Sequence, residues 1–258
     1  MSERPTAARA ALVTGASTGI GRATATQLAG SGWRVFAVAR RSDRLAALAD
    51  ATGALPITAD ITLDEDVARI VGTVTAAGGI DTLINIAGGA RGADRIAEAS
   101  DQDWEWMFRV NVLGTMKLTR AFLPMLRAHG AATVLNLTST AGHVAYEGGG
   151  GYNAAKFGQH ALNDALRLEE AEHNIRVVEV APGLVHTEEF SLRRLGSAEA
   201  AAKVYEGVRA PLTAQDVADV VTYAVQVPHH VELAHITLRP VAQPAAHKLL
   251  RGPLGRQS

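Results

Sequence analysis

Tyr152 and Lys156 stand four residues apart in the stretch YNAAKFGQHALNDALRLEEAE, whose pattern is helical. On a helix, positions i and i+4 share a face with Cβ atoms about 5–6 Å apart, so a phenol and an ammonium are held together. At about 4 Å and an effective dielectric near 20, a unit charge pair is worth about 4 kcal/mol. That equals about 3 pKa units and would pull a tyrosine from about 10 toward neutrality. Such a phenol can give or take a proton at working pH. Ser139 lies upstream, just past the apolar run from Thr133 to Leu137. A strand end is where open α/β sheets present ligand-facing groups. Taken alone, Tyr-x-x-x-Lys is most often a helix-surface pair. The elements around it decide between the two readings.

The first of these elements is the apolar run Ala10 to Val13, which leads into glycines at 15, 19 and 21 and then an amphipathic helix over roughly 21–31. A strand, a glycine turn and a helix N-terminus form an anion site, because free N–H groups and the positive dipole end face the ligand. The spacing is G-x-x-x-G-x-G. A second strand, Trp33 to Ala39, ends in Arg40 and Arg41. In dinucleotide folds an acidic residue about 20 positions after the glycines takes the adenosine 2′-OH, whereas arginine accommodates a 2′-phosphate. No Asp or Glu ends this strand, which predicts NADP over NAD. Asp43 is expected to cap the following helix.

A third strand, Leu55 to Ala59, is followed by Asp60 and Ile61. A helix over 64–77 and a fourth strand over 80–86 come next, the latter closing on Asn85-Ile86-Ala87-Gly88. One long helix is predicted over about 101–128, with Asn111 in its middle, where its propensity is poor. After the fifth strand, glycines 148 to 151 precede Tyr152. A sixth strand, Ile175 to Val180, runs into Ala181-Pro182-Gly183-Leu184-Val185-His186-Thr187. The polar stretch 188–212 is expected to act as a substrate lid. Thr213 reads as the N-cap of a helix over 214–227, and a last strand covers 233–238. The tail, about 241–258, has too little pattern to assign and either stays unfolded or docks on another subunit.

Strands and helices alternate through all 258 residues without a linker. This predicts α/β architecture: one domain over 1–258, a doubly wound parallel sheet of about seven strands. The net charge of −1 gives no basic field for nucleic acid. Cysteine is absent, so there is no disulfide, thiolate nucleophile or Cys-ligated zinc. Of the nine histidines, His229 and His230 are adjacent and the others lack ligand spacing on one helix face, so no metal is expected. No signal-like N-terminus and no apolar run of about 18 residues is present, which points to a cytoplasmic protein without a membrane span.

In combination, Thr14-Gly15-x-x-x-Gly19-Ile20-Gly21, Asp60, Asn85-x-Ala87-Gly88, Asn111, Ser139, Tyr152-x-x-x-Lys156 and Pro182-Gly183 with Thr187 resemble the short-chain dehydrogenase/reductase family over about residues 9–240. Ile86 departs from its frequent Asn-Asn-Ala-Gly. More narrowly, the chain resembles NADP-dependent 3-hydroxy acid (serine-type) dehydrogenases and clavulanate-type aldehyde reductases. The resemblance implies a Rossmann fold and hydride transfer between NADP(H) and a small carbonyl or alcohol: a 3-hydroxy acid, aldehyde or ketone. It implies that Gly15, Ser17, Thr18, Gly19, Ile20 and Gly21 hold phosphate and ribose, that Arg40 and Arg41 hold the 2′-phosphate, and that Asp60 and Ile61 flank the adenine. Asn85, Ala87 and Gly88 would line the ribose and nicotinamide side, and Pro182, Gly183, Val185 and Thr187 the nicotinamide. Tyr152 would exchange the proton, Lys156 bind the ribose and lower the tyrosine pKa, Ser139 bond the substrate oxygen, and Asn111 order a water relay to Lys156. A homotetramer paired through helices at about 101–128 and 152–172 is also implied. His143, Tyr146, His186 and Glu188 either border the substrate or are ordinary loop polarity. The competing reading is a non-catalytic NADP-binding regulator or redox sensor, which would not need Ser139, Asn111, Tyr152 and Lys156 together.

Overall fold

Short Val-, Leu- and Ile-rich runs with both faces covered are the mark of parallel strands. In β1 (Ala10–Thr14) all five side chains are buried. They divide by the two-residue period of a strand: Ala11 and Val13 join the core on one face, Ala10 and Leu12 that on the other. The computed structural model describes residues 9–254. The leader expectation, which rests on the first residues, and the last four residues of the tail lie outside them.

Seven parallel strands form the sheet, in the order β3 (Leu55–Thr58), β2 (Arg34–Ala39), β1, β4 (Thr82–Asn85), β5 (Ala132–Leu137), β6 (Ile175–Pro182) and β9 (His235–Leu238). The order reverses between β1 and β4, the switch point at which such sheets open a crevice beyond their carboxyl ends. On one face pack α1 (Gly19–Gly30), α2 (Ser42–Thr52) and α9 (Ala214–Gln226), through residues such as Leu28, Leu45 and Val221. On the other pack α3 (Asp64–Ala76), α5 (Gly114–His129) and α6 (Gly150–Glu170), through Ile70, Phe122 and Leu166. Thr213 caps α9 in a full capping box with Asp216.

Three expectations are corrected, and a fourth element is filled in. The long helix is not continuous: α4 (Asp101–Phe108) passes through a π turn, Arg109–Leu113, into α5. The cause is Asn111, whose Nδ2 donates to the Met107 carbonyl at 2.8 Å and so intrudes on the ladder one turn back. The cap of α2 is Arg41, and Asp43 sits in its first turn, facing the helix dipole. The described part of the tail does not stay unfolded and packs on its own chain. Leu250 N–H donates to Ala242, and Gln243 Oε1 accepts from Leu184 N–H at 2.7 Å. The segment 188–212 is partly helical. It carries α7 (Phe190–Leu195), α8 (Ala198–Tyr205) and a two-residue strand β8 (Leu212–Thr213) paired with β7 (Val185–His186).

Candidate active site

At the carboxyl ends of the strands lies a cleft of about 1120 Å³. Its floor on one side is the glycine turn between β1 and α1. Gly15 and Gly19 have φ of +69° and +51°, a region open to glycine without strain. A Cβ on Gly15 would lie 3.1 Å from the Ala87 nitrogen, and one on Gly21 would collide with the Gly15 carbonyl. Thr14 Oγ1 locks the turn to the end of β4 by accepting from the N–H groups of Ile86 and Ala87, both at 2.9 Å. The first turn of α1 carries no acidic residue and no side-chain cap, so its N–H groups remain directed at the cleft.

Ser17, Thr18, Gly19, Ile20 and Gly21 line this wall with Gly15. Arg40, Arg41, Asp60 and Ile61 border its outer end, and Ala87 and Gly88 its middle. Arg41 donates to Ser17 Oγ at 3.1 Å and to Glu189 at 2.5 Å. Arg40 lies 3.7 Å from Asp60. Glu189 also meets Arg44 at 2.7 Å and Arg193 at 3.0 Å. The Arg41 hydrogen bond, with Arg193 and Arg44 beside it, holds its carboxyl below the usual range despite partial burial. Pro182, Gly183, Val185 and Thr187 line the opposite wall. Uncapped N–H groups, a glycine cradle that any side chain would fill, and adjacent guanidinium groups suit a dinucleotide phosphate.

Ser139, Tyr152 and Lys156 meet at the inner end of the cleft. The Lys156 ammonium is 5.8 Å from the centre of the Tyr152 ring. It donates to the Leu137 carbonyl at 3.1 Å and to Gln159 Oε1 at 2.7 Å. Ser139 Oγ accepts from Ala141 N–H at 3.1 Å, within a turn made by the residues after β5. The expected acidic shift of the tyrosine is not found. Burial pushes the Tyr152 phenol up, Tyr146 adds to this, and the nearby Ser139 hydroxyl and Arg194 oppose it only in part. Burial also draws Lys156 down to about 7, against the field of Glu179. Desolvation has thus taken from the lysine part of the charge the surface-like Coulomb estimate relied on.

One expected lining residue, Asn85, and Asn111, expected to order a water relay, lie behind the cleft wall. Asn85 points into the core, donating to Thr119 Oγ1 at 3.1 Å and Asn136 Oδ1 at 2.9 Å, and so ties β4 to β5 and α5. Asn111 is fully buried behind Gly88 and clasps Gly89, accepting from its N–H at 3.2 Å and donating to its C=O at 2.9 Å. It and the Lys156 ammonium flank the Cβ position of Gly88, at 2.5 and 3.6 Å. Tyr146 lines the cleft, whereas His143 turns away to Glu179, and His186 packs on Tyr205 at 4.3 Å.

Several lining residues gave no signal in the sequence. Arg194 of α7 donates to Tyr146 Oη at 3.0 Å and to the Gly92 carbonyl at 3.1 Å, its guanidinium 5.7 Å from the Tyr152 ring. Phe190 sits edge-on to Tyr152 at 5.9 Å. Gln243, Ala246 and Leu249 bring the tail into the wall. Only proximity in space, not spacing, joins them to Tyr152.

A switch-point crevice with a glycine-cradled helix end marks a dinucleotide-binding α/β enzyme. Comparison with known proteins narrows this. The pattern of the short chain dehydrogenase family matches residues 9–195. An uncharacterized oxidoreductase of Mycobacterium tuberculosis is 45% identical over 247 residues, 95% of this chain and 96% of that protein. An NADP-dependent 3-hydroxy acid dehydrogenase of Salmonella typhi is 36% identical over 236 residues, 90% of this chain and 95% of that one. The solved closed form of serine dehydrogenase complexed with NADP+ superposes with a TM-score of 0.88 at 32% identity, covering 96% of this chain and all of that one. The chain belongs to the short-chain dehydrogenase/reductase family and is an NAD(P)-dependent oxidoreductase. Among the described residues no helix is long and apolar enough to cross a membrane.

Proposed function

We propose that this enzyme prefers NADP(H) and interconverts a small carbonyl compound and its alcohol, a 3-hydroxy acid among the candidates, with Tyr152 as the acid and base. The observation that carries the reading is the meeting of Ser139, Tyr152 and Lys156 at the inner end of a cleft whose outer end holds Arg40 and Arg41. Bound NADP(H) supplies or accepts the hydride. The glycine turn and the N–H groups of α1 hold its phosphates, and Arg41, beside Ser17, offers a fork to the 2′-phosphate. Tyr152 is protonated at neutral pH because it is buried, so it is ready to donate from its Oη to a carbonyl oxygen. Ser139 Oγ donates to the same oxygen and fixes its direction. Lys156, charged below about pH 7, stabilises the phenolate that remains. The Arg194 guanidinium beside Tyr152 favours a substrate with a carboxylate. We also propose a homotetramer in the cytoplasm, with 188–212 closing over the substrate.

The test is fluorescence titration with NADPH and NADH, followed by 340 nm assays with 3-oxo acids, aldehydes and ketones, and with serine and 3-hydroxy acids in reverse. Tyr152→Phe should keep NADPH binding and lose about 10²–10⁴-fold in turnover. Retained turnover would remove Tyr152 from the chemistry. Binding without turnover on any substrate would favour the regulator. Arg41→Ala should weaken NADPH about 10-fold or more, the loss of a charge-assisted bond, and NADH little. Equal losses would show that Arg41 does not read the phosphate.

A further inference from the structure

Behind the cleft, away from the cofactor wall, three elements bring imidazoles onto one carboxylate of a fourth. Glu179 of β6 has a side chain with no solvent exposure. His160 of α6 points Nδ1 at its Oε2 from 2.8 Å, and His235 of β9 does the same from 2.7 Å. His143 reaches its other oxygen through Nε2 at 3.1 Å. The far nitrogens of the first two rings share a second carboxylate. His160 Nε2 is 3.5 Å from Asp164 Oδ2, and His235 Nε2 is 3.2 Å from Asp164 Oδ1. Ligand atoms of His160, Asp164, Glu179 and His235 all lie within 4.8 Å of one another.

We propose that this cluster is a binding site for a divalent transition-metal ion of the zinc type. Glu179 Oε2 and the Nδ1 atoms of His160 and His235 supply three ligands. Two neutral imidazoles and a carboxylate suit zinc and its neighbours better than magnesium or calcium. Asp164 then takes the Nε2–H of His160, and that of His235 once its ring gives up the hydrogen bond that Arg167 Nη1 directs at its Nε2. A carboxylate that orients ligating histidines from outside in this way fixes the tautomer that leaves Nδ1 free. Arg167 decides which side the ion occupies. Its Nη1 is 2.7 Å from Asp164 and 3.3 Å from His235 Nε2, so a cation is repelled there and belongs on the Glu179 side. Zinc bonds of about 2.0–2.2 Å in a tetrahedron need ligand atoms about 3.3 Å apart, so each ring withdraws by about 0.5 Å from its present hydrogen bond. Loading is an exchange: each Nδ1 gives up its proton or moves it to Nε2, and the metal takes its place. His143 is the nearest candidate for a fourth ligand, and the partly exposed rings of His143 and His235 give the ion a way in. The site would join β6, β9 and α6 directly behind Ser139, through Thr138, whose hydroxyl bonds Glu179.

The experiment is equilibrium dialysis of untagged, chelator-stripped enzyme against ZnCl₂ at pH 7.5, with metal counted by emission spectrometry. About one zinc per chain is expected, falling to a small fraction in His160→Gln and in His235→Gln, since metal affinity here depends on every ligand. Asp164→Asn should bind about 10–100-fold more weakly. His230→Gln, at an exposed histidine outside the cluster, should bind as the parent does. Circular dichroism confirms that each variant compared is folded, and Asp164→Asn keeps the test open should a histidine variant not fold. Absence of stoichiometric zinc in the parent would overturn the site. So would zinc that survives unchanged in the His160, His235 and Asp164 variants.

Discussion

At Lys156 two forces compete for one proton. The Gln159 amide oxygen and the Leu137 carbonyl receive its N–H groups, yet burial lowers its pKa to about 7. In the unfolded chain the amine titrates near 10.5. Between about pH 7 and 10.5 the unfolded state therefore binds more protons than the folded one, and stability rises with pH across that window. Below about pH 7 both states are charged, and the cost of burying the ammonium is present in full. Lys156→Met should remove this slope, which approaches about 1.4 kcal/mol per pH unit for one group. Urea titrations of both proteins at pH 7, 8 and 9 check it, and parallel stability curves would refute it. The Tyr152–Lys156 pair was legible because a helix converts a spacing of four into contact. The sign of the tyrosine shift was not, because it depends on burial from α7 and Tyr146, which spacing does not encode.

At the scale of elements, α7 reaches the cofactor end of the cleft through one side chain. Glu189, immediately before it, engages Arg41, Arg44 and Arg193. An anion from the protein thus occupies the guanidinium fork that the proposed NADP(H) reading assigns to a 2′-phosphate. Glu189→Gln weakens that internal competitor while keeping its shape. NADPH binding should tighten about 10-fold, the worth of one charge-assisted hydrogen bond, with NADH little changed. Fluorescence titration with both nucleotides checks this; tightening of both alike, or of neither, would show that Glu189 does not compete. The strands were readable from β-branched apolar runs, and α9 from Thr213 and Pro228. The break of α4 from α5 was not. A π turn adds a residue without changing the apolar character of the segment, and the Asn111 side chain that intrudes on the Met107 carbonyl is held there by its clasp on Gly89, a contact that spacing does not encode.

For the whole molecule, the outer face of α4 and α6 is unusually apolar. Phe108 is 46% exposed, Phe157 41% and Leu113, in the π turn between α4 and α5, 37%. A Cβ on Gly158 would come within 3.7 Å of Phe108, so this patch is continuous across the two helices. An interface there fits both helices, as the tetramer proposal requires. Light scattering should give a mass near four chains, and Phe108→Glu with Phe157→Glu should reduce it while the fold persists. A parent that remains monomeric on concentration would remove the interface. The architecture itself was readable from the alternation of strand and helix, and the crevice followed from where the glycines fell. The histidine cluster was invisible, because its members come from α6, β6, β9 and the turn after β5. Proximity of that kind exists only after the sheet is assembled.

The tail has a consequence for how the enzyme comes into being. Gln243, Ala246 and Leu249 wall the cleft, and Gln243 holds the turn after β6. All three are synthesised after every strand of the sheet. A chain released after Leu238 therefore holds every strand of the sheet but lacks one wall of its chamber. It should fold without retaining NADPH, which would separate the making of the scaffold from the closing of the cleft.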